Sequence, residues 1–191
     1  MHVVGIMGSP RRDSNTDLLL AAAMRGAEAR GATTQTIRVC EMSIHPCVEC
    51  YHCAEDGQCS IKDDMGPVYD AFIAADSIIL ASPVFFYGLT SQAKALVDRC
   101  QALWVRRHVL KSWAPRVEAR SGAVIAVGAT RGQKLFDGVL LTAKYFFDAV
   151  GMREFDHVLV RGVDGKAQIR DFPEQIERAE SLGHSLVDSA A

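Results

Sequence analysis

Four cysteines fall within a short run, Cys47-Val-Glu-Cys50-Tyr-His-Cys53-Ala-Glu-Asp-Gly-Gln-Cys59. Each Cys-x-x-Cys step lets a tight turn aim two sulfurs at a common point. Repeating the step wraps a third thiolate round that point, and Gly57 permits the reverse turn that brings Cys59 back. Thiolates gathered in this way suit the corners of an iron-sulfur cubane, where Cys₄ ligation with compact spacing is the rule. Zinc is the alternative, but structural Cys₄ zinc sites usually pair two Cys-x-x-Cys knuckles a dozen or more residues apart, and no second knuckle stands at that distance. A redox dithiol, an oxidised disulfide pair or thiols with no centre complete the choices. His45 and His52 could replace a ligand; with four cysteines already completing a site, they read as surface or supporting residues. Cys40 and Cys100 stand apart and read as packed free thiols.

A second group of residues offers different chemistry. The run Gly8-Ser9-Pro10-Arg11-Arg12-Asp13-Ser14-Asn15-Thr16 leads directly into a helical pattern. Hydroxyls at Ser9, Ser14 and Thr16, the Asn15 amide and the unpaired N–H groups of a helix start together supply donors for a phosphate dianion. Neither the Gly-x-x-x-x-Gly-Lys-Ser/Thr of a triphosphate loop nor the Gly-x-Gly-x-x-Gly of a dinucleotide loop is present, so a terminal monophosphate fits better. A plain helix cap at Asn15 or Thr16 is the competing reading. Further on, Pro83-Val84-Phe85-Phe86-Tyr87-Gly88 puts three successive aromatics in a loop, where they want a flat partner or a protein surface. They suit the edge of an isoalloxazine, or a subunit contact. Gly128-Ala129-Thr130-Arg131-Gly132, with Thr130, Arg131 and Gly132 as the expected binders, adds backbone donors and a guanidinium near where a flavin's pyrimidine end would lie, its negative charge on reduction favouring a nearby cation.

Alternating apolar runs and helical patterns must position these residues. Strands are expected at His2 to Met7, Thr33 to Val39, Ser77 to Ala81, Gly122 to Val127 and His157 to Val160. Helices are expected from Thr16 to Arg30, Asp64 to Ala75, Ser91 to Leu103, Leu135 to Val150 and after Pro173. Five strands alternating with helices imply an α/β fold, a parallel sheet covered on both faces. The flavodoxin-like order 2-1-3-4-5 is the natural choice, with its ligand beyond the carboxyl ends of the strands. The 191 residues, about half hydrophobic with a formal charge of -2, describe a single domain over 1–191 with a cysteine-rich loop at 40–62. No apolar run is long enough to span a membrane, and the amino terminus lacks a basic leader, so a cytoplasmic, reducing setting is expected. Basic residues are dispersed, which argues against nucleic acid. The expected helix 135–150 is apolar on more than one face, which implies a homo-oligomer.

Gly-Ser-x-Arg-x-x-Ser-Asn-Thr after the first strand, Ser-Pro-Val-Phe-Phe with Lys94-Ala-Leu-Val-Asp-Arg99 downstream, and Ala-Thr-Arg-Gly after the fourth strand resemble the NADPH-dependent FMN reductase group. With the four-cysteine motif, the chain is similar to the iron-sulfur flavoproteins from Val3 to about Gly151. The resemblance implies one FMN and one [4Fe-4S] cluster per chain, the cysteines as ligands and the three loops as FMN binders. It also implies dimers or tetramers that bring cluster and flavin together across a subunit boundary. Electrons would pass between FMN and the cluster, to or from a carrier such as ferredoxin, a quinone or an oxygen species. No side-chain acid or base is required, because the cofactors carry the chemistry. An NAD(P)H-dependent FMN or quinone reductase with vestigial cysteines, or a zinc-stabilised flavin-binding module, are the alternatives. The basic, aromatic segment 104–116 lies outside the resemblance and reads either as a dock for an acidic carrier or as a subunit contact.

Overall fold

A computed structural model describes residues 1–188; Ser189–Ala191, the end of the domain expected over 1–191, lie outside the described residues. Five parallel strands form one sheet in the order β2-β1-β3-β4-β5, where β1 is His2–Met7, β2 Thr33–Arg38, β3 Ser77–Pro83, β4 Ser121–Gly128 and β5 Arg153–Arg161. β1, β3 and β4 are almost wholly buried on both faces, as parallel strands under crossover helices must be. This is the flavodoxin-like arrangement expected from the alternation of strands and helices.

The helices are α1 (Asn15–Ala29), α2 (Cys53–Asp56), α3 (Met65–Ala74), α4 (Ser91–Arg99), α5 (Gln101–Trp104), α6 (Asp137–Ala149) and α7 (Pro173–Asp188). On one face of the sheet Val4, Ile6, Ile78, Leu80, Val124 and Ala126 meet Phe72 of α3, Leu96 of α4 and Phe146 of α6. On the other, Val3, Met7, Ile79, Ala81 and Ile125 meet Leu19 and Leu20 of α1 and Leu182 of α7. Burial of this apolar surface is the main driving force for the three-layer stack.

Most element ends fall within two residues of the sequence expectation, and three of the differences have a physical cause. β5 begins at Arg153 rather than His157, because an edge strand carries exposed polar residues that hide its pattern. The helix expected over 91–103 is interrupted at Cys100, whose N–H bonds to Val97 O three residues back, and resumes as α5 and a wider turn over Val105–Val109. α6 starts at Asp137, after a turn that holds the buried Leu135 and Phe136. Among the described residues no helix is long and apolar enough to cross a membrane.

Candidate flavin and thiol sites

The carboxyl ends of β1, β3 and β4 are tied together by the residues that follow them. Gly8 N–H donates to Ala81 O (2.7 Å), and the buried Thr90 hydroxyl donates to Gly8 O (2.7 Å) while capping α4 through Ala93 N–H. Beside this junction Ser14 caps α1, its Oγ accepting from Asp17 N–H (3.2 Å). The first-turn N–H groups of a helix have no backbone partner within the helix and, Asp17 N–H apart, are available as donors beside the cavity that Asn15 and Thr16 line. That cavity, about 120 Å³, is lined by Ser9, Arg11, Ser14, Asn15, Thr16, Pro83, Val84 and Phe85. These are eight of the fourteen residues expected to bind a flavin. Phe86, Tyr87, Gly88, Thr130, Arg131 and Gly132 stand outside it.

Asn15 has a further duty. Its amide Nδ2 donates to Gly165 O (2.9 Å) and its Oδ1 accepts from Ile169 N–H (3.0 Å), fastening the loop after β5 against α1. That loop brings Val163 and Asp164 to the cavity, lining residues outside the loops picked out from the sequence; Pro10, Val127 and Ala129, which lie in or beside those loops, line it as well without having been expected to bind. The turn residues Gly162 and Gly165 at the end of the last strand were the available signal.

The aromatic loop is a two-residue hairpin turn. Phe85 and Gly88 exchange backbone bonds (3.0 and 2.9 Å), leaving Phe86 (φ 47°) and Tyr87 (φ 62°) as the central pair. Left-handed backbone at both central positions usually belongs to Asn or Gly; in bulky residues it costs about 1–3 kcal/mol each. The strained tip projects Phe86 fully into solvent, with Phe85 and Tyr87 about half exposed. It rests on α6 at Gly138, where a β-carbon would lie 2.4 Å from Tyr87 O. Arg131 folds over Gly162, and Arg161 reaches the Gly132 and Gln133 carbonyls (both 3.3 Å).

The four clustered cysteines lie elsewhere. Cys47, Cys50, Cys53 and Cys59 all line one cavity of about 660 Å³, walled on the other side by Asp98, Gln101, Ala102, Trp104, Val105 and Val109. Glu49 and Tyr51, on either side of Cys50, are left-handed (φ 55° and 58°), and Gly57 (φ 76°) makes the return turn. The Ser60 hydroxyl, 3.4 Å from Cys50 Sγ, and then the His52 N–H hold the Cys50 thiol below its ordinary range. Burial pushes the Cys53 thiol up, with Cys59 adding to it. Among the described residues no three His, Cys, Asp or Glu groups converge closely enough to hold a single metal ion. The ring of His45 is exposed and His52 is half-exposed, while Cys40 is half-buried and Cys100 fully buried.

The base of the thiol loop is closed by a buried ion pair. Arg99, at the end of α4, donates to both Asp63 oxygens (2.7 and 3.1 Å), to His45 O (2.9 Å) and to Ile61 O (3.2 Å). The two side chains are 1% and 3% exposed. Burial opposes the Asp63 charge, but the Arg99 donors together with the His45 and Met65 N–H groups outweigh it and hold the carboxyl well below its usual range. Ser43 and Asp64 add two more bonds across the same neck.

Segment 104–116 packs largely on its own chain. Arg106 Nε donates to Gly57 O (2.7 Å), Arg107 pairs with Asp148 (3.0 Å), and Trp113 stacks beneath Arg120, 5.5 Å from the guanidinium carbon to the ring centre. The expected subunit contact is thus in part an internal one. On α6, Leu141 and Tyr145 remain 59% and 65% exposed, the surplus apolar face.

The NADPH-dependent FMN reductase family profile matches residues 1–160. An iron-sulfur flavoprotein of Methanocaldococcus jannaschii is 37% identical over 131 residues, 69% of this chain and 64% of the relative. Another, from Archaeoglobus fulgidus, is 37% identical over 142 residues, 73% of this chain and 69% of the relative. The chain belongs to the iron-sulfur flavoprotein group of the NADPH-dependent FMN reductase family. For this member of the family, the chain covers less than two thirds of the length of the first relative. The NAD(P)H:quinone oxidoreductase of Methanothermobacter marburgensis shares the fold of this flavoprotein-family chain at a TM-score of 0.71 and 18% identity, covering 97% of this chain and 96% of that one.

Proposed function

We propose that this chain is an FMN-dependent oxidoreductase that passes electrons between FMN and a [4Fe-4S] cluster, as one domain in a cytoplasmic homodimer or homotetramer. The observation that carries the reading is the pairing, on one flavodoxin-like sheet, of a cradle of neutral donors with a separate cavity that four thiols line. Ser9, Ser14 and Thr16, with the α1 amide groups, hold the FMN phosphate, and Arg11 offsets its charge. Asn15 supports them by fixing the 162–169 loop. Pro83, Val84 and Phe85 line the near side of the flavin, Phe86, Tyr87 and Gly88 cover its edge, and Thr130, Arg131 and Gly132 meet its pyrimidine end.

Cys47, Cys50, Cys53 and Cys59 are the cluster ligands. A zinc ion requires every sulfur about 2.3 Å from one point; thiols spread round a cavity suit a centre with its irons at separate corners. When bound, the two groups together exchange an electron pair for single electrons. The residues supply placement, exclusion of water and local charge. NAD(P)H, a ferredoxin-like carrier, a quinone or an oxygen species is the external partner. A homo-oligomer is supported by the exposed α6 face; within one chain the cradle and the thiol cavity are separate, with no lining residue in common. That separation equally favours a second reading, a flavin reductase working without the cluster.

Anaerobic purification, a visible spectrum, and iron and acid-labile sulfide assays decide between them. Iron and sulfide at about four each per chain are expected; neither being present, with flavin reduced directly by NAD(P)H, establishes the second reading. FMN should bind at least about a hundredfold more tightly than riboflavin, because two or more charge-assisted bonds are worth about 1.5–3 kcal/mol each. Equal affinities in a fluorescence titration rule out the phosphate placement.

A further inference from the structure

Arg99 touches none of the cradle residues, and it carries no role in binding flavin, yet it is the most thoroughly buried charge in the molecule. Its partners share one property: His45 O lies before the first clustered cysteine, while Ile61 O and the Asp63 carboxylate lie after the last. One planar guanidinium therefore joins the two strands of chain that enter and leave the thiol loop. Its rigid fork suits this, since it presents several donors in fixed directions to acceptors from both strands. Between the joined ends the loop contains only the four-residue α2. Elsewhere it is supported by Arg106 on Gly57 O and by α5 and the 105–109 turn across the thiol cavity, and at the neck by the bonds between Ser43 and Asp64.

Resting on the reading of the four cysteines as cluster ligands, we propose that Arg99, together with Asp63, is the positioning residue of that centre. It closes the loop into a ring, so that the four thiols surround one cavity before any iron arrives. A loop of this length left open loses the entropy of closure each time a centre is assembled; a clamp at the neck removes that cost. Arg99 Nε–H has no acceptor among the described residues, so the residue's hydrogen bonds are concentrated on the loop neck.

The test compares wild type, Arg99→Met and Arg99→Lys, purified anaerobically with FMN bound. Three quantities are measured: FMN affinity, iron and acid-labile sulfide per chain, and amide hydrogen exchange over 45–63 after iron removal by chelation. Arg99→Met should keep FMN affinity within about twofold, exchange over 45–63 at least tenfold faster, and hold at most a third of the iron and sulfide. Arg99→Lys, which keeps the charge and some of the bonds, should recover at least half of the iron. Unchanged exchange over 45–63 overturns the proposal whatever the iron content, and so does faster exchange with full iron retention or no recovery in the lysine variant. If Arg99→Met fails to bind FMN, Asp63→Asn is judged by the same exchange and iron criteria. Wild type without iron or sulfide sinks the cluster reading instead, and the exchange comparison then decides the clamp by itself.

Discussion

The cradle and the thiol loop are held in place by different means. The cradle draws on main chain that the sheet and α1 already order: strand ends joined through Gly8 and Thr90, and a helix start capped by Ser14. The thiol loop, between β2 and α3, has little regular structure and is fixed at its neck by side chains, chiefly Arg99 and Asp63. Neutral donors repeated along ordered backbone make the first region tolerant of losing one of them. A single buried ion pair makes the second region sensitive to one substitution, because removing either partner strands a charge away from water.

The largest expected effects probe independence. Replacing Cys47, Cys50, Cys53 or Cys59 with Ala should abolish or convert the iron-sulfur centre and leave FMN content unchanged, and Cys40→Ala and Cys100→Ala should leave both. Ser14→Ala should do the reverse, weakening FMN about fivefold through a lost donor and cap of about 1 kcal/mol while sparing iron. Parallel loss of flavin and iron in either set, measured by spectrum and metal assay, breaks the comparison.

Next comes the ion pair. Arg99→Met should lower the unfolding free energy by about 3–5 kcal/mol, by leaving Asp63 buried without its countercharge. Adding Asp63→Leu should restore most of that stability in urea titrations, since an apolar pair of similar volume has no charge to desolvate. A double variant no more stable than the single one would show that the cost lies in shape and not in charge.

Acid sharpens the same contrast. Asp63 is held below the ordinary carboxylate value of about 4, so its contribution is complete from about a unit above that value upward and is lost as pH falls toward its folded pKa. Stability should therefore decline below about pH 5, and Asp63→Asn should flatten that part of the slope. An identical slope in the variant assigns acid sensitivity to other groups.

The smallest effect belongs to Asp164, a carboxylate lining the cradle near where a phosphate would sit. Asp164→Asn should tighten FMN a few-fold at low salt, with the gain shrinking as ionic strength rises. Weaker binding in the variant would place the carboxylate among the flavin's partners.

Much of the molecule was legible in the residues alone. The β-branched run of β1 and the alternation of strand and helix follow from short-range rules, in which each residue's neighbours along the chain decide its conformation; the cap of α1 falls at Ser14, one residue before the Asn15 or Thr16 expected. The cysteine spacing likewise brought four thiols to one cavity, because turns of three residues act locally. Edge strand β5 was read short, since exposed Arg153, Glu154 and Asp156 carry no apolar pattern.

The tertiary structure alone decided which distant side chains meet. Asn15 offers the same amide to a phosphate or to a carbonyl, and only the packing of the 162–169 loop directs it to Gly165 and Ile169. Arg99 belongs by sequence to an ordinary amphipathic helix; its burial against Asp63, thirty-six residues away, depends on how α4 crosses the neck of the thiol loop. Arg106, Arg107 and Trp113 read as surface and pack inward for the same reason. Periodicity sets which face of an element is apolar, but a hydrogen bond reaches only about 3 Å. Its partner is therefore chosen by where elements cross, and that is settled when both faces of the sheet are covered at once.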